Sequence, residues 1–236
     1  GVWFAWKHGF YGAALPEIDM LAAEASARRL QTDLAASCAE TISVGISRFP
    51  QLDFSCRDVL QNACKALDHA AFFGPGSIAT FDAVSLNISG DYRYQEGDLA
   101  MAIAEYRTAL RLDPNNVNVL NSLGICLSQS GDRDDARAAF ESARRLDPQE
   151  AMAAYNLGVL CLLEKQPAAA LEQFRQAYAL ETQTFEIPFQ IGKLLSEQKA
   201  YAEAIPYLEK AIEIRGTNAP AHTLLGRCRA SLGQTL

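Results

Sequence analysis

The sequence predicts two joined parts: an α+β segment of mixed sheet and helices over residues 1–82, then an all-α superhelical solenoid of helical hairpins over residues 83–236. Two observations carry this. Glycine recurs every 34 residues at Gly90, Gly124, Gly158, Gly192 and Gly226, with small and large apolar residues following in phase, and a fixed period of this length marks stacked hairpins. Ahead of Ala83 the period is absent, and segments alternating between strand and helix spacing take its place. With 49% hydrophobic and 21% charged residues in 236, the chain has the make-up of a folded protein.

The first part reads in order as strand, strand, helix, strand, helix, strand. Residues 1–15 form two aromatic-rich strands folded about Lys7-His8-Gly9, since aromatic and β-branched residues favour strands. Residues 16–36 carry Leu21, Ala25, Leu30 and Leu34 at helical spacing. Residues 41–50 alternate like a strand ended by Pro50. Residues 57–72 are helical again, with Val59, Leu60, Ala63, Ala66, Leu67 and Ala70 on the apolar side, and residues 77–81 make a short last strand.

In the second part, Ala102, Ala136, Ala170 and Ala204 stand twelve residues after the first four glycines. Tyr106, Phe140, Phe174 and Leu208 follow, then Ala109, Ala143, Ala177 and Ala211. Small residues let paired helices approach while one large residue fills the space between them. Gly97-Asp98 and Gly131-Asp132 make the early turns, Lys165-Gln166-Pro167 and Lys199-Ala200-Tyr201 the later ones. Pro206 inside a second helix predicts a kink. The units run over residues 83–116, 117–150, 151–184 and 185–218, with a final helix in 219–236.

This phased set resembles the tetratricopeptide repeat (TPR) family. The resemblance implies a protein or peptide partner on a concave surface lined by the first helix of each unit. Carried over residue by residue, that surface is Asn121, Ser122, Ile125, Tyr155, Asn156, Val159, Leu162, Phe189, Gln190 and Lys193. An apolar centre with amide edges suits an extended peptide or an amphipathic helix. Chaperone-binding members grip a terminal carboxylate with Lys, Asn and Arg, but Asn121, Tyr155 and Phe189 stand here, so no such clamp is expected.

The first part resembles the C-terminal part of a GGDEF domain, the diguanylate cyclase fold of bacterial signalling proteins. Ile42-Ser43-Val44-Gly45-Ile46 is similar to that family's alternating strand, and residues 63–74, from Ala63 to Gly74, to its conserved helix. The signature turn falls on Lys7, His8, Gly9, Phe10 and Tyr11, where the family holds nucleotide and a divalent metal. Magnesium takes hard oxygen ligands, and no acid stands in this turn. The family's helix lysine corresponds to Ala71 and its helix aspartate to Cys64. The resemblance is therefore to a degenerate, partial domain without catalysis, cofactor or metal. It implies a cytoplasmic scaffold or adaptor in bacterial signalling; the alternative is a cyclase-type enzyme or a nucleotide-sensing pseudo-cyclase.

The net charge of -7 speaks against nucleic acid, whose phosphates call for clustered cations. The longest apolar run, residues 157–163, falls far short of the roughly 20 residues that span a bilayer. Six scattered cysteines without a C-x-x-C pair read as buried free thiols. The opening half-complete element reads as the beginning of a fragment. No linker separates the two parts at residues 81–83, which predicts that residues 1–82 pack against the first hairpin as one body.

Overall fold

Asp19 opens the first helix of the chain. Its carboxylate accepts from the Ala22 amide at 2.8 Å, and Glu17 just before it has a positive φ of 57°. The helix α1 (Met20–Ser37) therefore starts later than residue 16, because the cap and the left-handed residue block helical geometry further back. The protein is seen here as a computed structural model that describes residues 1–7, 9–38 and 40–233. His8 of the expected turn and residues 234–236 of the final unit lie outside the described residues.

The expected order of elements is found. Strands β1 (Val2–Lys7) and β2 (Phe10–Ala14) precede α1, and β3 (Val44–Ile46), α2 (Asp58–Ala71) and β4 (Ile78–Thr80) follow it. The single mixed sheet is not found. Among the described residues the strands form an antiparallel β1–β2 hairpin and a separate parallel β3–β4 pair. A hairpin pairs with itself through its turn, whereas parallel strands need a crossover, here α2. Gly45 of β3 lies so close to the Ala63 carbonyl and the Leu67 backbone that a Cβ would collide with them. The α2 backbone thus rests directly on the strand, and Ala66 and Ala70 are fully buried.

Nine helices follow among the described residues: α3 (Ala83–Gln95), α4 (Leu99–Leu112), α5 (Val117–Ser130), α6 (Arg133–Leu146), α7 (Ala151–Leu163), α8 (Pro167–Leu180), α9 (Glu186–Glu197), α10 (Tyr201–Ile214) and α11 (Ala219–Ser231). The chain divides into two compact units, residues 1–119 and 120–236. The first contains the α3–α4 hairpin together with residues 1–82, as the missing linker predicts. Within it, Lys65 Nζ of α2 donates to both Glu105 carboxylate oxygens of α4 at 2.6 and 2.7 Å. His69 meets the Ser85 hydroxyl at 3.3 Å, beside the box in which the Asp82 carboxylate accepts from the Ser85 amide at 2.8 Å.

Each hairpin closes in the same way. The ring of Tyr106 lies on Gly90, Phe140 on Gly124, Phe174 on Gly158, and the Leu208 side chain on Gly192. A Cβ built on Gly158 would stand 2.6 Å from the Phe174 ring, closer than packed carbons allow. The turns also repeat: Gly97 and Gly131 have φ of 83° and 97°, and Lys165 and Lys199 hold the same place at 60° and 62°. A non-glycine residue there costs about 1–2 kcal/mol, so the last two turns are made at greater expense. At Pro206, where the sequence predicts a kink, α10 continues as one helix on both sides of the proline. Pro206 faces solvent, where water can satisfy the carbonyl that the ring leaves without a donor.

No helix among the described residues is long and apolar enough to cross a membrane. Of the free cysteines, Cys126, Cys161 and Cys228 are buried as expected, but Cys38 and Cys56 are exposed. Cys38 caps the end of α1 and Cys56 precedes α2, places that nothing in the segment covers.

Candidate functional site

Glu150 caps α7 through its side chain, accepting from the amides of Met152 at 2.7 Å and Ala153 at 2.8 Å. The carboxylate also accepts from Asn121 Nδ2 at 3.1 Å, and Asn121 Oδ1 accepts from Asn156 Nδ2 at 3.3 Å. Both asparagines are buried. Two residues expected to offer amides to a partner thus spend hydrogen bonds linking α5 to α7. An amide buried without partners would be costly, and the chain supplies the partners itself.

On α7 itself, Tyr155 is half-buried with its ring 5.5 Å from that of Phe174 on α8. Burial pushes its phenol above the ordinary tyrosine range, with the Glu186 charge adding and a hydrogen bond with Gln190 opposing. The Gln190 Oε1 is buried and makes no hydrogen bond. Val159 and Leu162 are half-buried and pack against the core of the second unit. Phe189 stacks on Phe185, centroids 5.3 Å apart and planes within 17°, and Arg215 covers that inner ring 4.2 Å from its centroid. The aromatics of the expected surface therefore pack on one side and stay partly open on the other. Ser122 and Ile125 of α5 are likewise half-buried.

Phe189 and Lys193 belong to a groove between α9 and α11 with a volume of about 590 Å³. Pro220, Leu224 and Arg227 of α11 line its other wall. Arg227 was not anticipated, although the repeat period points to it: it stands 34 residues after Lys193, at the same place on the next first helix. Lys193 and Arg227 are both exposed.

At the N-terminal turn, Gly9 has a φ of 75°, while Phe10 and Tyr11 are 38% and 78% exposed. Cys64 is half-buried and Ala71 exposed. Among the described residues no cluster of three His, Cys, Asp or Glu is placed to hold a metal ion.

Three family models described as TPR or tetratricopeptide repeats match residues 90–131, 127–183 and 187–218, together more than half of the chain. Among solved structures, MamA is 28% identical with a TM-score of 0.54, over 64% of this chain and 82% of that one. PilF of Pseudomonas aeruginosa is 24% identical with a TM-score of 0.60, over 75% and 73% of the two chains. YrrB, described as a TPR protein with an unusual peptide-binding site, is 24% identical with a TM-score of 0.51, over 64% and 78%. The last two likenesses concern the fold alone. A search of curated protein sequences finds no match.

Proposed function

The chain belongs, through residues 90–218, to the tetratricopeptide repeat family, and from that premise we propose that it is a non-catalytic scaffold binding a peptide or helix of a partner protein. Repeats of this family generally mediate protein–protein interaction. The observation that carries the proposal here is the half-open apolar face of Tyr155, Val159, Leu162 and Phe189 on two successive first helices. Half-packed aromatics give a partner large contact area at low entropic cost, the property of interface anchors. The test selects binders from a random 12-residue peptide library on the full chain. Tyr155→Ala and Phe189→Ala should each weaken a selected peptide about tenfold or more, with helical circular dichroism retained. Unchanged affinity in both variants would remove the groove assignment.

The first 82 residues we read as a degenerate GGDEF-like part of a cytoplasmic bacterial signalling protein. The support is that the two blocks carrying the resemblance meet: Gly45 of the strand lies under Ala63 and Leu67 of the helix. The turn residues Gly9, Phe10 and Tyr11 bring no carboxylate, so this part recognises without turning over. Formation of cyclic di-GMP from GTP and magnesium by the full chain would overturn that reading. A nucleotide-dependent rise in melting temperature would identify a sensor, because a ligand bound only by the folded state must stabilise it.

A further inference from the structure

We propose that the groove between α9 and α11 receives an internal acidic segment of a partner, with two side-chain carboxylates on Lys193 and Arg227 and a large apolar residue against Phe189, Pro220 and Leu224. This rests on the scaffold reading above and names the chemistry of its partner.

The argument begins with charge. The chain has 28 acidic against 21 basic residues, so a cation on its surface has carboxylates to choose from. In the second unit Arg137, Arg175, Lys210, Arg215 and Arg229 each meet a carboxylate at 3.3 Å or less. Lys193 and Arg227 appear in no ion pair among the described residues, although Glu197 lines the same groove one turn beyond Lys193. With that carboxylate counted, the groove keeps one net positive charge in a chain of net charge -7. Other cations of this unit, such as Lys165 and Lys199, also stand outside ion pairs among the described residues, but Lys193 and Arg227 line one groove from equivalent places on two first helices and so form a complement to negative charge.

Spacing and shape decide the kind of ligand. Packed helices lie about 8–10 Å apart, so cations on α9 and α11 match two carboxylates separated along a peptide better than the single carboxylate of a chain end. Phe189, Pro220 and Leu224 provide apolar wall beside them, where a large side chain gains by leaving water. Lys193 and Arg227 lie one turn beyond Phe189 and Thr223 in their helices. The uncharged row of Asn121, Tyr155 and Phe189 is therefore compatible with an acidic partner held one turn further along.

The experiment selects a random 12-residue library, fused to its carrier at the C terminus so that no free carboxylate is offered, on the full chain. The expected pool is enriched in pairs of Asp or Glu near an aromatic or aliphatic residue. An amidated synthetic representative, followed by fluorescence anisotropy, should lose about tenfold in affinity when Lys193→Glu and Arg227→Glu are combined, rim ion pairs being individually modest. It should weaken as salt rises, and the double variant should select a basic pool instead. Both side chains are exposed, so melting followed by circular dichroism should be unchanged in the variant. A pool without acidic enrichment that still depends on Phe189 would overturn this proposal and leave the scaffold reading standing. Failure to select any peptide would overturn both. A representative that binds only with a free C-terminal carboxylate would overturn the assignment to an internal segment.

Discussion

Tyr106, Phe140, Phe174 and Leu208, one in each helical hairpin, keep 2% exposure or less, whereas Trp3 and Tyr11 of the N-terminal hairpin keep 62% and 78%. The contrast lies in how far each segment can bury its own large residues. A TPR hairpin brings a glycine to the place where the large residue of its second helix arrives, so its core closes from neighbours in sequence. Residues 1–82 have two short sheets and few large buried residues. Their buried set is mostly alanine, including Ala66, Ala70 and Ala79, with Phe81 at the junction to α3. This segment relies on a partner element, and Lys65 reaches that element at Glu105.

The comparison would break most sharply at that ion pair. Glu105→Ala leaves the Lys65 ammonium without its partner in a site where both side chains are nearly buried, at 13% and 10% exposure. The expected loss is about 3 kcal/mol, read by urea unfolding, and Lys65→Met with Glu105→Leu should recover most of it. A cost within error for Glu105→Ala would mean that the N-terminal segment holds without this contact. Next in size, Gly158→Val pushes a branched side chain into the Phe174 ring and should cost about 2 kcal/mol. Gly226 has the same place in the period but nothing within 4 Å. Gly226→Ala should therefore stabilise by up to about 1 kcal/mol through helix propensity. Equal effects at the two glycines would contradict the packing account.

The smallest expected effect is a pH dependence. Burial raises the Asp91 carboxyl above its usual range, with the hydrogen bond from Tyr106 partly opposing; Tyr106 donates to it at 2.7 Å. A carboxyl raised in the folded state favours folding while protonated, and that contribution is lost as pH rises through its folded value. Asp91→Asn should thus gain on the wild type at neutral pH, and the difference should shrink as pH falls through the carboxylate range. A difference independent of pH would show that Asp91 is not titrating in this way.

Much of this was legible from residue order. The 34-residue spacing located every hairpin, since the glycine and its large partner lie within one local unit. Positions 97 and 131 announced their turns by being glycine, while Lys165 and Lys199 fill the same left-handed place without any signal in their own chemistry. Register chose the expected surface residues but could not show their hydrogen bonds: Asn121 and Asn156 read as open amides, whereas in the fold Asn121 donates to Glu150 and accepts from Asn156.

Residue order alone therefore determined which segments become helices and strands, and which residues meet within a hairpin, because those depend on spacing over a few turns. The fold decided the rest. It divided the strands into two sheets, turned Asn121 toward Asn156, and set Lys193 and Arg227 across one groove, in no ion pair among the described residues. Each of these rests on contacts between elements far apart in sequence, where pairing depends on geometry that local spacing does not encode.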